Sequence, residues 1–260
     1  MLQQNLKKLG VLGGMGPLAT VTFMTKVIEL TTAKSDQDHV PMMVSNVPQI
    51  PDRTAAIMQQ GNDPFPKLLS CLRDLENGGA SLFVIPCNTA HFWYDRLKAE
   101  AKIDSISIIE SVTDNIHQRG FRKVGLLATD ATVKAGLYPK ALAVHGVDCI
   151  TPDAETQQKV MHGIYAVKAG NLAEGRECLE AAFNSLIECG ADAVIMGCTE
   201  IPVALDHLIT ECPQQCIDSL GILARACVDW YFTPQTWVDN FKQTLPQPAA
   251  TEKPVPELTI

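Results

Sequence analysis

Short apolar runs alternate with amphipathic helical patterns along most of the chain, and this alternation predicts an α/β fold. Residues 9–13 form the first apolar run, which enters a glycine-rich turn and then a helix opened by Pro17, a residue that suits a first helical turn. Runs that stay apolar at every position are typical of parallel strands buried on both faces. Further strands are predicted before Cys87 and Cys198 and at 42–47, 106–109, 123–128, 147–150 and 216–218.

The pattern starts over near the middle of the chain. A glycine–alanine pair stands eight and seven positions before Cys87 and again before Cys198, and a short apolar run leads into each cysteine. Residues 9–12 also resemble residues 124–127, at an offset of 115 positions, and the same offset relates Arg53 to Lys168. We therefore predict two related halves, in which two thiols and two cations form matched pairs.

The repeat predicts two pseudo-symmetric lobes, each a mostly parallel sheet flanked by helices, with the active site in the cleft between them. Residues 1–110 together with 212–233 are assigned to the first lobe and residues 111–211 to the second. A proline-rich tail is expected at 234–260. If the carboxyl ends of the strands in the two lobes face each other, both matched pairs line one cleft.

Composition and charge limit the classes of partner. The 260 residues carry a formal net charge of −8, which argues against nucleic-acid or anionic-membrane binding through bulk electrostatics. We expect neither a secretory signal nor a membrane span. Nine cysteines with irregular spacing favour reduced thiols in the cytoplasm over a disulfide framework.

Two thiols that face each other across a cleft can remove a proton from one face of a carbon and return a proton to the other face. This is the chemistry of racemisation or epimerisation. Helix N-termini and nearby cations lower the pKa of a thiol, and both Cys87 and Cys198 are expected just before a helix or turn. One cysteine would start as the thiolate and the other as the thiol.

The polar residues around the cysteines indicate an acidic amino acid as substrate. Charge that develops on the substrate carboxylate in the transition state needs hydrogen-bond donors. Asn88 and Thr89 follow the first cysteine and Thr199 follows the second, where they could supply such donors. Arg53 and Lys168 would then hold a second, side-chain carboxylate, which arginine can bind through two N–H groups.

The glycine-rich turn and its counterpart supply further candidates. Residues 14–19 formally match the dinucleotide-binding fingerprint, but the predicted second strand lacks the acidic residue that such a site requires. We expect the glycines instead to let the backbone approach a small substrate, with Met15 among its contacts. Thr129 and Thr132, in the equivalent turn of the second half, are also candidate substrate contacts.

Two ionisable residues near the cysteines have less defined roles. His91 either tunes the Cys87 thiolate or caps a helix. Glu200 is expected to hold a backbone group or a cation rather than to act as a base. We expect no metal, because His207, Cys212 and Cys216 lack an evident fourth ligand for a closed zinc site.

Three motifs together resemble the aspartate/glutamate racemase family: Gly-Gly-Met-Gly-Pro at 13–17, Pro-Cys-Asn-Thr-Ala-His at 86–91 and Gly-Cys-Thr-Glu at 197–200. Residues 48–54 and 167–170 are also similar to the aspartate racemase branch. The resemblance implies a two-base mechanism without a cofactor, in which Cys87 and Cys198 are the bases. It also implies an acidic amino acid as the small-molecule substrate, and a homodimer.

Other functions fit the same scaffold. In the wider superfamily, similar clefts carry hydantoin racemases, maleate isomerases and arylmalonate decarboxylases, and Cys87 could then be a nucleophile rather than a base. A third hypothesis is a two-lobed binding protein for a dicarboxylate that performs no chemistry.

Overall fold

The computed structural model describes residues 7–233, so the predicted tail at 234–260 lies outside the described residues. Its strands are β1 Leu9–Gly13, β2 Met42–Asn46, β3 Leu82–Val84, β4 Asp104–Ile106, β5 Lys123–Leu127, β6 Asp148–Ile150, β7 Ala193–Met196 and β8 Cys216–Asp218. Its helices are α1 Pro17–Leu30, α2 Arg53–Ile57, α3 Phe65–Asn77, α4 Tyr94–Glu100, α5 Ile108–Gln118, α6 Asp130–Ala135, α7 Leu137–Ala143, α8 Ala154–Lys168, α9 Leu172–Glu188, α10 Ile201–Ala204, α11 Asp206–Glu211 and α12 Ser219–Phe232. Two short 3₁₀ helices lie at Asp36–Asp38 and Thr89–Trp93.

The strands form two four-stranded sheets of the same design. The first has the order β2-β1-β3-β4 and the second the order β6-β5-β7-β8, and every neighbouring pair is parallel. Each strand of the second half thus takes the place of its counterpart in the first half. The predicted α/β class and the two parallel sheets flanked by helices are confirmed.

One strand lies in a different sheet from the one predicted for it. Residues 212–233 are assigned from sequence to the first lobe, but β8 pairs with β7 through Val194 and Cys216 and forms the edge of the second sheet. The helix α12, which follows β8, packs against α1 and β4 of the first half. The strand therefore belongs to the second sheet, whereas the other proposed lobe boundaries stay predictions.

The strand predicted at 106–109 is also wrong in its bounds. β4 ends at Ile106, and the Ser107 hydroxyl accepts a hydrogen bond from the Glu110 N–H, so that α5 begins at Ile108. Serine at this position is a favoured helix cap. Ile108 and Ile109 are buried by the first turn of the helix rather than by a strand.

Both halves contribute to one central hydrophobic core. Val11 and Val84 of the first sheet lie in the same buried cluster as Val124 and Ile195 of the second. Helices α1, α5, α7 and α12 pack together in this region. Burial of this shared apolar surface holds the two sheets together, which fixes the cleft between them. Within residues 7–233, none of the helices has the length and apolar character needed to cross a membrane.

Candidate active site

The two cysteines of the repeat lie just beyond equivalent strands. Cys87 follows the end of β3 and Cys198 follows the end of β7. Both are buried, with 5% and 6% of their surface exposed, and neither is in a disulfide. All nine cysteines fall within the described residues and are free thiols.

Thr89, two positions after Cys87, contacts the second half of the molecule. The Thr89 hydroxyl lies 3.0 Å from the Thr129 hydroxyl and 3.0 Å from the Thr132 hydroxyl, which are themselves 3.0 Å apart. All three side chains are buried. The three hydroxyls form a triangle of groups that can each donate or accept a hydrogen bond, as a carboxylate site requires.

Cys198 is paired with a buried carboxylate. Its thiol donates a hydrogen bond of 3.0 Å to Oε2 of Glu200, which is only 5% exposed. Burial and the negative charge of Glu200 hold the pKa of Cys198 well above its ordinary value, and the nearby cation Lys168 partly offsets them. Thr199 adds a longer bond of 3.5 Å to the same oxygen. Cys198 therefore rests as a protonated thiol that is hydrogen-bonded to the Glu200 carboxylate.

The glycine-rich turn of the first half lies against this carboxylate. A Cβ atom built on Gly16 would lie 3.1 Å from Oε1 of Glu200. Gly14 has a φ of +95°, and a Cβ atom there would lie 2.4 Å from the Val47 backbone, so the turn needs glycine at this position. Met15 is 2% exposed and belongs to the same buried cluster as Cys87. The turn thus connects the surroundings of the two cysteines.

Lys168 connects the two cysteines electrostatically. Desolvation of the ammonium lowers the pKa of Lys168, but the Glu200 carboxylate, together with Cys198 and Cys87 in their thiolate forms, outweighs this effect and raises the pKa above its ordinary value. The positive charge of Arg53 acts in the opposite direction. The residue itself remains exposed to solvent. One ammonium group therefore lies within electrostatic range of both thiols and of the second predicted cation.

Arg53 is buried with unused hydrogen-bonding capacity. It is 7% exposed, and its Nη1 donates to the carbonyl oxygens of Ile50 and Pro51, both at 3.1 Å. Its Nε atom is buried and has no hydrogen-bond partner among the described residues. A buried donor without a partner is costly, and a carboxylate ligand would supply the missing acceptor.

The predicted equivalence of the two cations does not hold in three dimensions. Arg53 is the first residue of α2, which follows β2 closely, whereas Lys168 is the last residue of the long helix α8. The constant sequence offset ignores the different loop and helix lengths of the two halves. The two cations therefore come from opposite ends of non-equivalent helices.

His91 has a structural position. Its Nδ1 lies 2.9 Å from the Cys87 carbonyl oxygen, and its Nε2 accepts a hydrogen bond from the Ile108 N–H at 3.1 Å. Burial lowers the pKa of His91 to about 4, so the ring is neutral at physiological pH. The neutral ring links the loop after β3 to the start of α5, and both of its nitrogens are occupied by backbone groups. This favours the capping hypothesis over tuning of the thiolate.

Asn88 contacts two residues that sequence reasoning missed. Its side-chain oxygen accepts a hydrogen bond from Tyr138, and its amide nitrogen donates one to Ser219. No motif marks these two residues, because Tyr138 lies within an ordinary helical pattern and Ser219 simply follows a strand.

Metal ligands are not gathered at any point of residues 7–233, where no cluster of three or more histidine, cysteine or acidic side chains could hold an ion. His207 instead lies 3.2 Å from Glu180.

A cavity of about 150 Å³ adjoins the site, and it is lined by Gly16, Pro17, Leu18, Ala19, Val167, Lys168, Glu200 and Val203. Apart from Lys168 and Glu200, this lining is apolar.

Comparisons with known proteins match this architecture. The model of the Asp/Glu/Hydantoin racemase family matches residues 12–227. An aspartate racemase from Picrophilus torridus is 33% identical, with a TM-score of 0.79 over 86% of this chain and 94% of that chain. An aspartate racemase homologue from Pyrococcus horikoshii is 26% identical, with a TM-score of 0.70 over 87% of this chain and all of that chain. The broad specificity amino-acid racemase RacX of Bacillus subtilis is 31% identical over 88% of this chain and 100% of its own length.

Proposed function

Because the chain belongs to the Asp/Glu/hydantoin racemase family, we propose that it racemises an acidic amino acid, with aspartate as the first candidate, and uses Cys87 and Cys198 as the two bases. The observation that carries this proposal is that both buried thiols lie just beyond equivalent strands of two like sheets, and that Thr89, two residues after Cys87, contacts the second half through Thr129 and Thr132. Two thiols at the ends of equivalent strands beside one cation fit a small anionic substrate held between them.

We infer the order of the proton transfers from the hydrogen bond between Cys198 and Glu200. In one direction, the Cys198 thiol passes its proton to Oε2 of Glu200, and the thiolate takes the α-proton of the substrate. The Cys87 thiol then donates its proton to the opposite face of the carbanion. The C–H bond broken on one face is replaced by a C–H bond on the other, and exchange with solvent restores both thiols and the Glu200 carboxylate. The reverse direction uses Cys87 as the base, and neither direction needs a cofactor.

The α-carboxylate of the substrate needs donors, because it takes on negative charge as the proton leaves. The Thr89, Thr129 and Thr132 hydroxyls supply them by turning from one another towards the ligand. Thr199 lies beside Glu200 on the Cys198 side and contributes a further hydroxyl.

The second carboxylate is assigned to Arg53 and Lys168. Arg53 has a buried N–H without a partner, and Lys168 carries a positive charge with a raised pKa. Paired with the buried Arg53 and the more exposed Lys168, the side-chain carboxylate of aspartate would be neutralised. The homodimer implied by the family resemblance and the cytoplasmic location predicted from the cysteine content stay predictions.

A second candidate is a racemase of broad amino-acid specificity. The RacX relative carries that description, and the match covers all of that relative and 88% of this chain. The mostly apolar lining of the 150 Å³ cavity beside Lys168 and Glu200 would also accept an aliphatic group. Glutamate, alanine and leucine therefore belong in the substrate panel.

The test is incubation of L-aspartate and the panel in heavy water, with chiral separation and mass spectrometry of the products. The proposal expects D-aspartate that carries an α-deuterium. Cys87→Ala and Cys198→Ala should each abolish racemisation, whereas the exposed Cys189→Ala control should retain it. Racemisation at the wild-type rate in either active-site variant would refute the two-base assignment.

The same assay separates the other hypotheses. Turnover of maleate, of a hydantoin or of an arylmalonate without amino-acid racemisation would assign the chain to another activity of the superfamily. Saturable aspartate binding without any α-deuterium exchange would indicate a dicarboxylate-binding protein.

A further inference from the structure

A buried hydrogen-bonded chain crosses from one cysteine loop to the other. The Tyr138 hydroxyl donates to Oδ1 of Asn88 at 2.5 Å, and Nδ2 of Asn88 donates to the Ser219 hydroxyl at 3.2 Å. The Ser219 hydroxyl then donates to the Met196 carbonyl oxygen at 2.7 Å. Each hydroxyl hydrogen is used once, so the direction of every bond in the chain is set.

The two ends of this chain adjoin the two thiols. Asn88 directly follows Cys87, and Met196 stands two residues before Cys198 at the end of β7. Because Ser219 bonds to both Asn88 and Met196, it links the two cysteine loops through a single side chain. The hydrogen bonds therefore restrain the distance between the two thiols, although none of them is made by a thiol.

The hydrogen-bonded chain is buried and stays neutral. Tyr138 and Ser219 are fully buried, and Asn88 is 1% exposed. Burial raises the pKa of Tyr138 far above its ordinary value, so the hydroxyl remains a donor over the physiological range. The protein thus holds the Asn88 side chain at both its oxygen and its nitrogen.

We propose that Tyr138 and Ser219 are positioning residues, which hold Asn88 so that the Cys87 and Cys198 thiols flank one substrate carbon. This inference rests on the proposed two-base racemisation. A racemase depends on this separation more strongly than a one-base enzyme does, because both thiols must reach the same carbon. Displacement of a catalytic group by about 1 Å can lower a rate by roughly 100-fold.

The test compares Tyr138→Phe and Ser219→Ala with Tyr94→Phe. Tyr94 is a matched control, because it is also buried and its hydroxyl bonds to Ser105. We expect kcat for racemisation to fall about 10- to 100-fold in the first two variants, with KM changed less than about two-fold, since the misplaced thiols no longer reach one carbon together. The control should keep the wild-type kcat.

Two further readouts separate positioning from simple loss of stability. With the thiols misplaced, one cysteine can still remove the α-proton and return deuterium to the same face, so the ratio of exchange with retention to inversion should rise. The double variant Tyr138→Phe/Ser219→Ala should lose less than the product of the two single losses, because both residues act through Asn88.

The outcomes distinguish the two proposals. A wild-type protein that racemises no amino acid in the panel would overturn the proposed function. An active wild type, with Tyr138→Phe and Ser219→Ala unchanged in kcat and in the exchange ratio, would overturn the positioning role alone. An activity-independent measurement is the yield of a Cys87–Cys198 cross-link formed by a bifunctional thiol reagent and mapped by peptide mass spectrometry. That yield should fall in both variants, and an unchanged yield would also refute the positioning role.

Discussion

The thiol of Cys198 and the carboxylate of Glu200 form a buried hydrogen bond of 3.0 Å, although only one residue separates them in the chain. The bond pairs an acid whose pKa is raised with an acceptor that is only 5% exposed. A carboxylate in this position both keeps Cys198 protonated at rest and offers a place for its proton during turnover.

Replacing Glu200 should separate these two effects. In Glu200→Gln the negative charge that raises the pKa of Cys198 is absent, so the pKa falls and alkylation of Cys198 by iodoacetamide speeds up at a fixed pH. Turnover should nevertheless drop by about 100-fold, because the proton acceptor is lost. Peptide mass spectrometry of the alkylated protein and chiral product analysis measure the two quantities.

The exposed Glu188→Gln variant is the control for Glu200→Gln, and it should match the wild type in both assays. Equal alkylation of Cys198 in Glu200→Gln and wild type would show that the carboxylate does not set the state of the thiol.

Removal of the Arg53 guanidinium should affect acidic substrates selectively. A hydrogen bond to a charged group contributes about 2 kcal/mol, so Arg53→Ala should lower kcat/KM for aspartate roughly 30-fold. Any turnover of alanine should change little, because alanine has no side-chain carboxylate. Arg96→Ala removes a more exposed arginine and should be neutral in the same assay. An equal loss of kcat/KM for aspartate and alanine would instead assign Arg53 a structural role.

Acid should destabilise the fold through His91. The pKa of this residue is lowered to about 4 by burial, against 6.5 for a free histidine, so the unfolded chain binds the proton more tightly. Its contribution to the free energy of unfolding is complete above pH 6.5 and is lost as the pH falls to about 4, and it amounts to about 3 kcal/mol. Urea denaturation at a series of pH values measures this slope.

His91→Gln should be less stable at neutral pH and should show a flatter dependence between pH 6.5 and pH 4. The side chain of His162 is 61% exposed, so His162→Gln should keep the wild-type slope. An unchanged slope in His91→Gln would assign the acid sensitivity to other groups.

The glycine turn can be tested with two alanine variants that share a positive φ. Gly14→Ala places a Cβ atom 2.4 Å from the Val47 backbone, whereas Gly120→Ala, at φ +73°, meets no atom within 4 Å. The left-handed conformation alone costs about 1 kcal/mol, and the clash at Gly14 should add about 1–3 kcal/mol. Thermal unfolding of both variants measures the difference, and equal losses would contradict the steric argument.

The sequence by itself determined the repeated design of this protein. Apolar runs and their bounding residues located the strands. The spacing that precedes Cys87 and Cys198 identified β3 and β7 as equivalent strands, and they occupy the same position in the two sheets. These features are local, because the periodicity of apolar residues and helix capping depend on residues within a few positions of each other. For this reason the bounds of β1 and β8 agree with the prediction to within one residue.

The tertiary structure alone decided how the two halves interlock. Asn88 meets Tyr138 and Ser219 across separations of 50 and 131 residues, and β8 joins the second sheet although α12 packs on the first half. Arg53 and Lys168 lie at opposite ends of non-equivalent helices, contrary to their constant offset. Periodicity encodes which face of an element is buried but not which distant polar group it meets. Those partners are selected only when the shared apolar core brings the two sheets together.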